Sequence, residues 1–264
     1  MLIPRVIPSL LLSGNRLVKS TRFERPVYVG DPVNAIRIFN EKEVDELVLL
    51  DIDATREGRG PNVRLLADIA SECFMPLAYG GGLTTVEQMR EVLSLGMEKV
   101  VLNTVAFTDP AVVRAAADRF GSSSVVVSVD ARRRRWGGYR VMSHAGGRDT
   151  RIDPVQHAVR MQETGAGELL LNSIDRDGTL SGYDLDLIRQ VAAAVDIPVV
   201  AGGGASGLHD FRSAVDAGAS AVAAGALFVF QGPHRAVLIT FPARAELEAL
   251  LRPAPTPFSG AGAA

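Results

Sequence analysis

The sequence predicts an α/β protein, a (β/α)8 (TIM) barrel assembled from two half-barrel repeats. Three features carry this prediction. Eight short runs rich in Val, Ile and Leu alternate with stretches of helical spacing, the runs are apolar at almost every position, and one block of the pattern recurs after 121 or 122 residues. The strand-like runs are 5–12, 46–51, 75–79, 99–102, 124–130, 168–172, 198–201 and 221–224. Such uniform apolarity suits parallel strands covered on both faces. Helical spacing occupies 32–42, 85–95, 110–119, 154–163, 186–194 and 208–217. Helix starts are marked by Asp31-Pro32, Thr84-Thr85 ahead of Glu87, Asp109-Pro110 and Asp153-Pro154, and helix ends by Gly96, Gly165 and Gly218.

In the recurring block, Gly80-Gly81-Gly82, a helix, Gly96 and Asn103-Thr104 are matched by Gly202-Gly203-Gly204, a helix, Gly218 and Ala224-Gly225. Leu49-Leu50-Asp51-Ile52-Asp53 is likewise matched by Leu171-Asn172-Ser173-Ile174-Asp175. An open doubly wound sheet is the other arrangement of alternating elements, but no G-x-G-x-x-G follows the first strand. The barrel is expected to span residues 1–252, and the Pro/Gly/Ala-rich residues 253–264 to form a disordered tail.

Composition bounds the function. The chain has 264 residues, 28 basic and 30 acidic, for a net charge of −2. That balance argues against a module that holds nucleic acid through a basic surface. A single cysteine, Cys73, excludes a disulfide framework and a Cys-rich zinc site, and the four histidines lack metal-ligand spacing. Neither a metal nor a cofactor is therefore expected. No apolar run reaches the ~18 residues of a membrane span, so the expected location is cytoplasmic.

Functional groups of such a barrel gather at the C-terminal ends of its strands. Both glycine triplets fall there, each ahead of a helix start whose free N–H groups and dipole favour an anion. One such turn is often only a tight connection, but two copies predict a ligand with two anionic ends, phosphates, bridging the mouth. Gly81, Gly82, Asn103 and Thr104 would hold one end, and Gly203, Gly204 and Gly225 the other, with Asp177 and Gly178 beside them. Asp51, Asp130, Asp175 and Asp177 also end strands. Asp130 closes the run Val125-Val126-Val127-Ser128-Val129 and is a candidate general acid or base; the competing role is a helix cap or a partner of the Arg132–Arg135 run. The repeat sets Leu11 at the equivalent end of the first strand, so only one of two opposed carboxylates is present. Lys19, one of three lysines, lies in the first loop, placed to close over a phosphate or to sit in solvent. The Arg132–Arg135 run ahead of Trp136 reads as a solvated excursion rather than a nucleic-acid site. At the opposite ends of the strands stand Arg5, Glu46, Lys99 and Glu168, either a salt-bridged plug or a gate.

These residues resemble the cyclase subunit of imidazole glycerol phosphate synthase, the HisF-like family, over about residues 1–250. The resemblance rests on Arg5-Val6-Ile7-Pro8, Gly30-Asp31-Pro32, Asp45-Glu46-Leu47-Val48, Tyr79-Gly80-Gly81-Gly82, Asn103-Thr104, Val129-Asp130-Ala131 and the stretch Ser173 to Asp184. It implies a two-phosphate barrel that receives ammonia from a glutaminase (HisH-like) subunit docked at its N-terminal face. The family's gate is an Arg-Glu-Lys-Glu set, retained here as Arg5, Glu46, Lys99 and Glu168. Asp45 and Glu98 fall where the partner would touch, Glu98 replacing an aspartate. The family cyclises with one aspartate on each of the first and fifth barrel strands; Asp130 is retained, whereas the other falls at Leu11 in Ser9-Leu10-Leu11-Leu12. Losing one member of such a pair removes about 10²–10⁴ of rate.

The Pro8-x-Leu10-Leu11-Leu12 strand, Asp51-Ile52-Asp53-Ala54, Glu72-Cys73-Phe74-Met75-Pro76, Trp136-Gly137-Gly138 and Leu227-Phe228-Val229-Phe230 look like one branch, the paralogues associated with glycosyl amidation in surface-polysaccharide clusters. That resemblance implies ammonia supplied for sugar amidation in lipopolysaccharide biosynthesis, a phosphorylated or nucleotide-sugar ligand and a separate sugar amidotransferase. Two other functions remain open. One is a working histidine-pathway lyase, catalysed by Asp130 with Lys19 and another acid such as Asp51 or Asp53. The other is a non-catalytic scaffold that activates the glutaminase.

Overall fold

The computed structural model describes residues 3–252; the tail expected at 253–264 lies outside the described residues. In chain order the elements are β1 (Arg5–Ser13), β2 (Arg16–Thr21), β3 (Glu24–Gly30), α1 (Pro32–Glu41), β4 (Leu47–Asp51), α2 (Val63–Glu72), β5 (Leu77–Gly80), α3 (Val86–Ser94), β6 (Lys99–Leu102), α4 (Thr104–Thr108), α5 (Pro110–Phe120), β7 (Val125–Arg133), β8 (Tyr139–Ser143), β9 (Arg148–Asp149), α6 (Pro154–Thr164), β10 (Glu168–Ser173), α7 (Leu185–Ala192), β11 (Val199–Gly202), α8 (Leu208–Asp216), β12 (Ala221–Ala224), α9 (Ala226–Val229), β13 (Phe230–Gln231), β14 (Ala236–Val237) and α10 (Arg244–Leu251).

Eight of these strands, β1, β4, β5, β6, β7, β10, β11 and β12, pair in parallel in that order, and β12 closes back onto β1. The expected (β/α)8 barrel is the observed fold. β1 has a split register: Arg5–Pro8 pair with β12, and Ser9–Leu12 pair with β4. Alternation along the strands sorts the side chains into two cores. Ile7, Val48, Ala78, Val101, Val126, Leu170, Val200 and Ala223 fill the barrel interior, while the intervening residues pack under the helices.

The helix boundaries follow local chemistry. Asp31 caps α1 by accepting from the Asn34 N–H at 2.9 Å, and Asp153 does the same for α6 through Val155. Thr85 caps α3, and its capping-box partner is Gln88 rather than the neighbouring Glu87. Asp109 makes no side-chain cap at α5, although Pro110 still begins that helix. Segments not singled out from the sequence are α2, α4, α9, α10 and three antiparallel insertions, β2–β3, β8–β9 and β13–β14. The first loop, expected to carry Lys19, is thus a hairpin that continues β1.

The repeat has a packing basis. A Cβ on Gly81 (φ +130°) would lie 2.6 Å from the Asp51 carbonyl, and one on Gly203 (φ +84°) would lie 2.6 Å from the Ser173 carbonyl. The two glycines and their two neighbours are each related by the same sequence offset. Gly81→Ala is expected to cost roughly 2–4 kcal/mol, through both the clash and the left-handed backbone. Urea unfolding of the variant beside the native chain measures this.

Candidate functional site

At the N-terminal pole, Arg5, Lys99 and Glu168 begin their strands and Glu46 immediately precedes β4, so the barrel directs all four inward. They form a closed alternating ring. Arg5 pairs with Glu46 and with Glu168; the Lys99 ammonium donates to Glu46 at 2.9 Å and to Glu168 at 2.7 Å. Both glutamates are buried, whereas Arg5 keeps about a third of its side chain exposed, 32%. Burial pulls the Arg5 pKa down, but bonding and attraction to Glu168 and Glu46 outweigh this, and the net direction is upward. Asp45 and Glu98 are exposed on the same face, Asp45 accepting from the Val6 N–H at 3.3 Å. Above the ring lies the apolar interior layer of Ile7, Val48, Val126 and Leu170.

At the C-terminal pole a cavity of about 280 Å3 brings together Leu11, Lys19, Asp51, Gly81, Gly82, Asn103, Thr104, Asp130 and Asp177. Asp130 is buried and accepts from Ser128 Oγ at 2.8 Å, Asn172 Nδ2 at 2.9 Å and Asn103 Nδ2 at 3.2 Å. Burial pushes its pKa up to about 6 against the opposing pull of the Asn172 and Ser128 hydrogen bonds. A carboxyl titrating there can hold or release a proton near neutral pH. Leu11 lines the same cavity from the first barrel strand and supplies only hydrocarbon. Asp51 is differently disposed. Its oxygens accept two bonds from Arg59, at 2.7 and 3.0 Å, as well as the N–H groups of Asp53 and Ala54. It organises the loop after β4 while facing the cavity.

Thr104 Oγ1 accepts from the His144 N–H at 3.0 Å, tying the Asn103-Thr104 turn to the loop after β8. A second, smaller cavity of about 20 Å3 gathers Lys19, Asp177, Gly178, Gly203, Gly204 and Gly225. The Lys19 ammonium meets both Asp177 oxygens, at 2.8 and 3.0 Å, and its chain crosses the open face of Gly225. The β2–β3 hairpin therefore lies over this cavity, held also by the Arg22 N–H on the Asp177 carbonyl at 2.8 Å. Among the mouth residues that sequence reasoning missed are Arg56, Arg59, Ser128 and Asn172. Ser128 and Asn172 had a signal, since each lies at an inward-facing position of its strand near the mouth. Asp175 accepts from the Arg133 N–H at 2.6 Å.

Among the described residues there is no group of three or more His, Cys, Asp or Glu able to hold a metal ion, and no helix long and apolar enough to cross a membrane. His157 is a core residue, stacked on Phe107 at 4.1 Å, and burial lowers its pKa to about 4.

Fold and site define a barrel with an ion-paired base and a mouth lined by two glycine turns. Residues 5–233 match the family profile described as "Histidine biosynthesis protein", and the chain belongs to that family. It is 54% identical over 243 residues to "Putative imidazole glycerol phosphate synthase subunit hisF2" of Pseudomonas aeruginosa, covering 90% of this chain and 95% of that protein. It is 46% identical over 258 residues to "Putative imidazole glycerol phosphate synthase subunit HisF" of Leptospira interrogans, covering 95% and 99%. A Vibrio vulnificus relative named for the same synthase, subunit hisF3, is 45% identical over 251 residues, covering 93% and 95%.

Proposed function

We propose that this barrel takes up ammonia from a glutaminase (HisH-like) partner at its N-terminal pole and delivers it at the mouth for amidation of a sugar in surface-glycan synthesis. One observation carries the reading: Leu11 shares the mouth cavity with Asp130, while the ring of Arg5, Glu46, Lys99 and Glu168 is complete. Cyclisation asks for two proton-transferring groups, and leucine transfers none. An ammonia route asks only for a gate, an apolar interior and an acceptor site. In this reading Asp45 and Glu98 contact the glutaminase. The two glycine turns, with Asn103, Thr104, Asp177 and Gly178, hold the anionic groups of a phosphorylated or nucleotide-sugar ligand. A separate sugar amidotransferase completes the reaction, in the cytoplasm.

The relatives' names favour a second reading, the cyclase itself, which converts the phosphoribulosyl formimino-AICAR phosphate intermediate and ammonia to imidazole glycerol phosphate and AICAR. Turnover of that intermediate with ammonium salt and no glutaminase separates the two. Delivery predicts no turnover by the native chain and measurable turnover on Leu11→Asp. A native rate of ~1 s⁻¹ or more would establish the cyclase instead. A barrel that only activates its glutaminase would leave coupling of glutamine hydrolysis to product unchanged in Lys99→Ala, which delivery predicts to be uncoupled.

A further inference from the structure

We infer that the mouth face is a docking surface for a protein that presents acidic groups around an apolar centre, namely the enzyme that accepts the ammonia; this rests on the delivery reading above. The large apolar side chains left exposed among the described residues are unevenly distributed. Val27 and Tyr28 on β3, Trp136 on the β7–β8 turn, and Val237 and Leu238 at β14 all belong to insertions at the C-terminal ends of strands; Phe74 is elsewhere. Trp136 is 87% exposed and Tyr28 60%. None of the five lines either mouth cavity, so a small ligand bound there leaves them uncovered. Exposed apolar groups concentrated on one face mark a protein contact, and Trp, Tyr and Arg dominate the energetics of such contacts.

Charge identifies the chemistry of the partner. The three insertions, residues 14–30, 131–153 and 231–238, carry twelve basic and three acidic residues within a chain of net charge −2. The rest of the chain accordingly carries sixteen basic and twenty-seven acidic residues. The opposite pole exposes the acids Glu43, Asp45, Glu98 and Asp196 against the base Lys42. The two ends thus select partners of opposite charge, and the cationic end is the one where ammonia leaves. A nucleic acid would use the arginines but has no need of Val27, Val237 and Leu238, so the observations favour a protein.

The test uses this chain, its glutaminase partner and the sugar-amidating enzyme of the same organism, followed by sedimentation velocity and by transfer of glutamine nitrogen to the sugar. Two surface variants are compared: Trp136→Ser with Arg134→Glu and Arg135→Glu, and Tyr28→Ser on a different insertion. We expect the amidating enzyme to bind the native chain at about 0.05 M salt and to release near 0.5 M. The triple variant should bind at least about tenfold more weakly and lose glutamine-dependent amidation, with glutaminase stimulation unchanged. Equal binding by native chain and both variants, or no association at all, would overturn the proposal. So would native self-association abolished by the variants, which would assign the face to a second copy. Turnover of the histidine-pathway intermediate would refute delivery without altering these binding curves, so the two failures are distinguishable.

Discussion

Glu168→Ala is expected to lower the free energy of unfolding by about 3–5 kcal/mol, the cost of breaking a buried ion pair from one side. Glu168 is buried and holds Arg5 on one oxygen and Lys99 on the other, the latter at 2.7 Å. Removing it leaves two cations on Glu46 alone, with the Lys99 ammonium partly shielded from water and half of its pairing lost. The cost comes from the stranded charge rather than from a missing attraction. Removing Lys99 as well, in Glu168→Ala with Lys99→Met, should therefore recover at least half of the loss. Denaturant unfolding of the two single variants and the double variant measures this directly, and an additive double variant would show that the ring is not coupled.

Asp130 should impose a pH dependence of the opposite sense to that of an ion-paired carboxylate. Burial raises its folded pKa to about 6 from the ordinary 3.8. A group with a raised folded pKa stabilises the fold fully below its unfolded pKa, and that contribution is lost as pH rises through the folded value. Between pH 4 and pH 7 the native chain should therefore lose about 2 kcal/mol relative to Asp130→Asn, and the difference should be nearly flat above pH 7. The absolute stability of the variant is a separate matter, because the new amide meets the donor groups of Asn103 and Asn172. The pH-dependent part of the difference isolates the carboxyl. Thermal unfolding at several pH values would read it, and a difference that does not change with pH would mean that Asp130 titrates normally.

The eight barrel strands were legible because burial on both faces leaves a mark at every position. The runs read at 99–102 and 221–224 coincide with β6 and β12. The base was legible for the opposite reason: a charge at the start of an apolar run, as at Lys99 and Glu168, has to be paired. The insertions were hidden. β3 is exposed along most of its length, β9 and β14 are two residues each, and a strand that is not buried carries no apolar rhythm. Glycines and acids read at strand ends do line the mouth cavities, whereas Arg59, which lines one of them too, gave no sign in the sequence. Its partner Asp51 lies eight residues away around a loop, and no spacing rule links the two. The Lys19–Asp177 pair joins positions 158 apart, and only the closed barrel brings them together.

The split register of β1 has a consequence for how the chain comes to be folded. Ser9–Leu12 find their partners in β4, 39 residues further along the chain, but Arg5–Pro8 must wait for β12 at Ala221–Ala224. At ~5–20 residues per second that delay is roughly 8–35 s. Throughout it, half of the first strand presents an open edge to every other chain emerging nearby. That half begins with a charge, Arg5, and ends with Pro8, which has no N–H to donate, the two residue types that discourage adventitious strand pairing. The residue that anchors the base of the finished barrel thus also protects the unfinished one.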